Sequence, residues 1–200
     1  VRQEQLILAT MKCIARNGLS GTTVAQVTKE AGLSLGIANL HFESKEKLLV
    51  ATLLHVTEEY NRGQAAILES DRYPTTAARI EAILQFDFSP QVTTREKMAV
   101  WFAFWGEAKS RPTYQRICSQ TDFKAEDAIC ALFRIAIEEA GSEDVDAALI
   151  AAGYTAMVDG LWLNMLVAPQ HLKRDQALAI ARSYLASAFP FHLTPESKPP

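Results

Sequence analysis

The stretch Thr22–Phe42, TTVAQVTKEAGLSLGIANLHF, limits what this chain can become more than any other. Val24, Val27 and Ala31 recur at i, i+3 and i+7, a single buried stripe on a helix too short to persist alone. Gly32 can take the positive φ that closes such a helix, and Ser34 offers its hydroxyl as N-cap of the next. A helix, a tight turn containing Gly, then a second helix is the arrangement in which the second helix enters the major groove of DNA. An ordinary helical hairpin in an all-α core has the same periodicity, so the pattern alone leaves both open.

The flanking chain reads as helix throughout. Arg2–Asn17 places Leu6, Ala9, Cys13 and Ile14 on one face and ends at Asn17-Gly18. Ser44 half-caps a long helix through Leu48, Leu49, Leu53, Val56 and Tyr60 to about Ser70, since Lys47 stands where a capping box wants Glu or Gln. With no flexible linker after the first three helices, this one is a stiff element able to transmit movement. Pro74 is expected to open a helix to Asp87, broken by Ser89-Pro90. Further helices are expected over Thr94–Ser110, from Pro112 to Ala140 with or without a break near Thr121-Asp122, and over Lys173–Ala188 before Pro190. Between the last two, Ser142 is expected to cap a helix from Glu143 to Ala168, with Glu143, Asp144 and Asp146 at its positive end. The fold class is all-α: a three-helix head (1–47) with the helix-turn-helix, a six-helix body (48–190), and a disordered tail (191–200).

With 48% hydrophobic residues, 200 residues can bury a substantial core. No apolar run of about 18 residues stands out, so no membrane partner is expected. The N-terminus, Val1-Arg2-Gln3-Glu4, has neither a signal-peptide segment nor an initiator Met, and the expectation is that a few residues, a basic arm among them, precede it. Cys13, Cys118 and Cys130 are odd in number and widely spaced, which predicts buried thiols in a reducing compartment, the cytoplasm by default. The net charge of −3 is uneven: residues 1–50 carry six Lys/Arg against four acids, and the remainder is acidic. A mildly basic head on an acidic body fits local phosphate contact. No Glu stands three residues before His41, His55, His171 or His192, and no phosphate loop, nucleophile elbow or CxxC occurs. No catalytic residue, metal site or cofactor is therefore expected, and the chain is not read as an enzyme.

The span G-L-S-G-T-T-V…A-G-L-S-L-G-I…H-F-E-S-K-E-K-L-L, residues 18–49, resembles the N-terminal domain of the TetR family of transcriptional regulators, and the order of the remaining helices agrees. More narrowly, W-F-A-F-W at 101–105 and D-G-L-W-L at 159–163 resemble the regulatory domain of BetI-type members, which control choline and glycine-betaine metabolism. The resemblance implies a dimeric repressor that binds a palindromic double-stranded operator and releases or retains it in response to a small molecule.

In the second helix of the motif, Leu35, Gly36, Ile37 and Asn39 come early enough to approach base edges, and Asn can pair bidentately with adenine. Either Leu35 or Ile37 could instead face the core. Thr23, Ser34, His41 and Lys45 are candidate phosphate contacts near helix N-termini, although Ser34 also fits a role as a cap alone and Lys45 as a solvated charge. Where the family usually carries aromatic residues, often a phosphate-contacting Tyr, this sequence has Asn39 and Leu40, so that contact does not carry over.

In the body, Trp101, Phe104 and Trp105 fall at i, i+3 and i+4, and Asp159 precedes Trp162 by three residues. Indoles around one carboxylate are what a quaternary ammonium needs, because it has no hydrogen to donate and is held by ring quadrupoles and an opposite charge. Aromatics at that spacing equally describe a core, and the BetI-like resemblance favours the pocket, with choline or betaine aldehyde first and polyamines or an apolar effector as alternatives. Tyr60, Phe86, Phe88 and Tyr114 are further wall candidates. Ile150, Tyr154, Met157, Val158, Leu161 and Met165, with Leu178, Ala181, Tyr184 and Leu185, are the expected surface of a two-fold dimer. A helical small-molecule-binding protein without DNA-binding activity is the other class consistent with these residues.

Overall fold

The structure is a computed structural model, and it describes residues 1–142 and 145–189. Among the described residues the chain forms nine α-helices and no strand: α1 Arg2–Gly21, α2 Val24–Ala31, α3 Leu35–His41, α4 Lys45–Leu68, α5 Thr76–Asp87, α6 Arg95–Ala108, α7 Pro112–Ala140, α8 Ala147–Val167 and α9 Arg174–Ala188. The all-α expectation holds. Residues 1–61 with 94–122 make one compact unit, and residues 62–93 with those from 123 onward make a second, so α4 and α7 contribute to both.

In the first unit α1 is the central element, packing on α2, α3 and α6. Its buried face is the predicted one, with Leu6, Cys13 and Ile14 joined by Val27, Ala38, Phe42, Leu48 and Leu53 from its neighbours. The expected stop at Asn17-Gly18 appears as a kink: Gly18 adopts φ 70°, and a last turn continues to Gly21. The Thr22 hydroxyl donates to the Gly18 carbonyl at 2.8 Å, which fixes where the chain leaves α1.

The second unit is built from α5, α8 and α9 with the C-terminal parts of α4 and α7. α9 packs on both α8 and α5. Phe133 meets Phe189 and Tyr154 edge-on in its core, at 4.9 and 5.9 Å between ring centroids. α7 runs without a break through Thr121-Asp122, and Thr121 donates back to the Ile117 carbonyl at 3.0 Å.

Two helix starts differ from expectation. Thr75, not Pro74, caps α5, accepting from the Ala78 amide at 3.1 Å, because a side-chain acceptor satisfies an orphan donor that a proline ring can only avoid. Asp146, not Ser142, caps α8: its carboxylate accepts from the Ala148 and Leu149 amides at 2.9 and 3.2 Å. A charged oxygen on two amides outcompetes a hydroxyl four residues earlier. Of the first-turn acids foreseen for that helix, Glu143 and Asp144 lie outside the described residues, as do Pro190 and the tail 191–200.

α8 also corrects the membrane expectation. By length and composition alone it could span one, at a mean hydropathy of 1.3. Its many Ala and Gly residues hide this when one looks for a run of large apolar side chains. Tyr154, Val158, Leu161, Trp162 and Met165 are nonetheless buried in the protein. Cys13 and Cys118 are buried as foreseen, whereas Cys130 is only half-buried. Burial, and secondarily Asp122, pushes the Cys118 thiol up to about 12, so it stays protonated.

Candidate functional site

The helix-turn-helix is built from local hydrogen bonds that the sequence specifies. Thr23 caps α2 in a reciprocal box: its hydroxyl oxygen accepts from the Gln26 amide at 3.3 Å, and the Gln26 side-chain oxygen accepts from the Thr23 amide at 2.9 Å. Gly32, at φ 65°, ends the helix with its N–H on the Lys29 carbonyl, while the Leu33 N–H reaches Thr28 at 2.9 Å. This pair of bonds satisfies the carbonyls a helix end leaves open. Ser34 caps α3, accepting from the Ile37 amide at 3.4 Å.

These caps set which face of α3 looks outward. Ala38 is buried, Ile37 half-buried, and Leu35, Gly36, Asn39, Leu40 and His41 are exposed. Of the two apolar candidates, Leu35 is therefore the outward one. Leu40 is 77% exposed, a large apolar side chain on the same face as Asn39. In the sequence it stands only as a missing aromatic, and its being out of phase with the buried Ala38 is the signal for its exposure.

Thr23 and Ser34 are exposed at the two helix starts, both already engaged as caps through their oxygens. Lys45 is half-buried at the start of α4, its ammonium reaching back 3.5 Å to the Ser20 carbonyl. Glu30 on α2 pairs with both Arg16 and Lys12 of α1. The hydrogen bond from Arg16, and less so Lys12, outweighs burial and holds the Glu30 carboxyl below its ordinary range. Two of the head's six cations are thus spent on tying α1 to α2.

The aromatic candidates of α6 part company. Trp101 is buried against Tyr60 and Trp105, with centroids 6.3 and 6.1 Å apart. Phe104 turns instead onto Tyr114, 4.7 Å away, and is wholly buried there. Trp105 is half-buried, edge-on to Phe102 at 5.4 Å, and its buried indole N–H has no hydrogen-bond partner. A ring with an unpaired donor beside other rings is the part of α6 most open to a ligand with an acceptor or a positive charge.

Asp159 and Trp162 belong to the second unit. Asp159 is half-buried, and Trp162 is buried with its indole N–H donated to the Asp87 carbonyl at 2.9 Å. Asp87 itself, at the end of α5, is a buried carboxylate accepting from the Tyr154 hydroxyl at 2.6 Å. Sequence reading missed it, since Phe86-Asp87-Phe88 looks like a helix end before Ser89-Pro90. The readable signal was a lone acid flanked by two phenylalanines. Phe86 and Phe88 are buried in the same unit.

Comparison with known proteins gives consistent matches. Residues 6–52 match the family described as bacterial regulatory proteins, tetR family, and residues 76–190 match the BetI-type transcriptional repressor, C-terminal. The HTH-type transcriptional regulator BetI of Burkholderia mallei is 32% identical over 189 residues, covering 92% of each chain. A structure described as a transcriptional regulator from Pseudomonas aeruginosa PAO1 superposes with a TM-score of 0.79 at 29% identity, covering 94% of this chain and 90% of that one. A structure from Saccharomonospora viridis in complex with choline gives 0.77 at 19% identity, covering 92% and 94%.

Proposed function

The chain belongs to the TetR family of bacterial regulators, in its BetI-type branch, and from that premise we propose that it is a cytoplasmic, dimeric repressor whose body senses a small cation. It is a regulator of transcription and not an enzyme. The observation that carries the DNA-binding reading is the outward face of α3, where Leu35, Gly36, Asn39 and Leu40 stand clear between two well-capped helix ends. Asn39 would read adenine, and Leu35 would meet a thymine methyl group. Thr23, Ser34, His41 and Lys45 would hold phosphates around it, with Ile37 supporting α3 from beneath.

The dimer surface we propose uses other residues of the same two helices than periodicity implied, since Ala181 and Leu185 of α9 are buried within the subunit. Tyr154, Val158, Leu161 and Met165 are used within the subunit, whereas Leu149, Leu163 and Val167 on α8 and Ile180 on α9 are exposed, at 72, 43, 66 and 45%. Two helices with such apolar outer faces are suited to a four-helix, two-fold interface, which buries both copies' faces at once. Two heads would then meet successive major grooves about 34 Å apart on a near-palindromic site.

For the effector, two sets of residues are assigned to cation contacts, choline first, each by itself: Trp105 with Trp101 and Phe104 in the first unit, and Asp159 with Trp162 in the second. Support comes from their chemistry, a ring-rich wall and an acid, and from the choline-bound S. viridis protein of the same fold. Ligand would favour a state in which α4 tilts the heads out of register, to the extent that it binds that state better than the DNA-bound one. Calorimetry with choline on wild type, Trp105→Ala and Asp159→Asn tests this. Binding weakened about tenfold or more in either variant is expected from a lost cation–π or charge contact, and unchanged affinity in both would remove these residues from the site.

A further inference from the structure

The outermost line of α3 carries a single side chain. An α-helix turns about 100° per residue, so Ala38, the buried anchor of α3, fixes where every other position points. Leu40 and Gly36 stand two residues after it and two before it, about 200° round in opposite senses. Both therefore lie on the crest that faces away from the head, while Asn39 and His41 leave it on opposite flanks. Leu40 is 77% exposed, and Gly36 is exposed as well. Cα–Cβ bonds tilt towards the start of a helix, so the isobutyl group of Leu40 leans over the turn that begins at Gly36. Beyond the local backbone, a Cβ at Gly36 would have the Ser34 hydroxyl oxygen as its nearest neighbour, 3.8 Å away. The crest is thus one apolar group over bare backbone, open in front.

What that crest meets follows from the reading of α3 as the helix that enters the major groove, on which this inference rests. A helix lying in the groove turns its crest to the floor, where the base edges are, and its flanks to the phosphates on either side. Leucine has no donor and no acceptor. Set against a phosphate, or against the N7, O6, O4 or amino groups of the floor, it displaces water and returns no hydrogen bond. The floor offers one apolar group, the C5-methyl of thymine. We propose that Leu40 is a specificity-determining residue, selecting one thymine in each half-site through that methyl group. Leu35, on the flank that Asn39 shares, reaches a different base.

The test takes the duplex that the intact chain enriches from a random pool. Each thymine of its half-site is replaced in turn by deoxyuridine, which lacks only the C5-methyl group, and anisotropy gives the affinity of wild type, Leu40→Ala and Leu35→Ala for each duplex. One thymine is expected at which losing the methyl weakens wild type about fourfold per half-site. Leu40→Ala should not feel that loss, and Leu35→Ala should feel it in full. Leu40→Ala is also expected to melt as wild type does, since the side chain it shortens lies in water. Affinity that no deoxyuridine changes, a methyl effect that persists undiminished in Leu40→Ala, or a lower melting temperature for that variant would each overturn the proposal and leave sequence-specific DNA binding standing. A chain that enriches no duplex would overturn the DNA-binding reading and this proposal with it.

Discussion

At the level of single residues, Glu30 is the acid that ties α1 to α2 in the head. Its folded pKa is depressed by Arg16, so the Glu30 contribution to stability is fully present above the ordinary glutamate value of 4.5 and is lost as the pH falls through the lower folded value. Glu30→Gln should therefore melt below wild type at neutral pH, and the gap should close in acid. Parallel thermal melts from pH 7 to pH 3 check this, and a gap that persists or widens in acid would contradict the sign. Glu30 is half-buried but its partners Arg16 and Lys12 are exposed, so the effect is expected to be small and to shrink with salt. Other residues show why some groups were legible in the sequence and some were not. Thr23, Gln26, Gly32 and Ser34 act on backbone within a few positions, so spacing alone identifies them. Asp87 acts on Tyr154 and Trp162, 67 and 75 positions away, so its flanking phenylalanines mark it as a buried acid but do not say what it holds.

At the level of elements, packing decides what propensity cannot. Glycine inside a helix normally gives way to alanine with a gain of up to about 1 kcal/mol. At Gly63 of α4 a new Cβ would lie 2.3 Å from the buried Phe86 ring, and displacing that ring costs about 1–3 kcal/mol, so the loss outweighs the gain. Gly63→Ala is expected to lower the melting temperature. Gly106→Ala on α6, where a Cβ meets nothing within 4 Å, should hold or raise it. Denaturant melts of both variants test the contrast, and a stabilised Gly63→Ala would show that α4 and α5 are not packed as described. The same distinction explains the sequence reading of α6. Periodicity put Trp101, Phe104 and Trp105 on one side, but it could not foresee that Phe104 would turn to Tyr114 while Trp101 met Tyr60, because those partners come from other helices. Helix starts were misplaced for a related reason: where several capping residues crowd together, as in Pro74-Thr75 or Ser142 to Asp146, the winner is set by three-dimensional geometry.

At the level of the whole molecule, the proposed function takes two copies and one DNA. The exposed apolar residues of α8 and α9 are the place to break the pair: Leu163→Glu would set like charges against each other across a two-fold axis. Sedimentation velocity is expected to show a dimer for wild type and a monomer for the variant, with operator affinity falling alongside. A variant that stays dimeric would move the interface elsewhere. Family membership was legible from residues 18–49, where function constrains a contiguous stretch, and the order of helices followed from it. The effector was not, since aromatic and acidic residues serve a core and a cation site equally well until their partners are known.

The most direct test of the central claim is selection of duplexes from a random pool by the intact chain, followed by anisotropy titrations of the winner against salt. One near-palindrome should be enriched, with half-sites about one helical turn apart, an affinity falling steeply with salt, and a loss of about 1–3 kcal/mol in Asn39→Ala confined to one base position per half-site. Equal, weak binding to every duplex, with no sequence enriched, would contradict it.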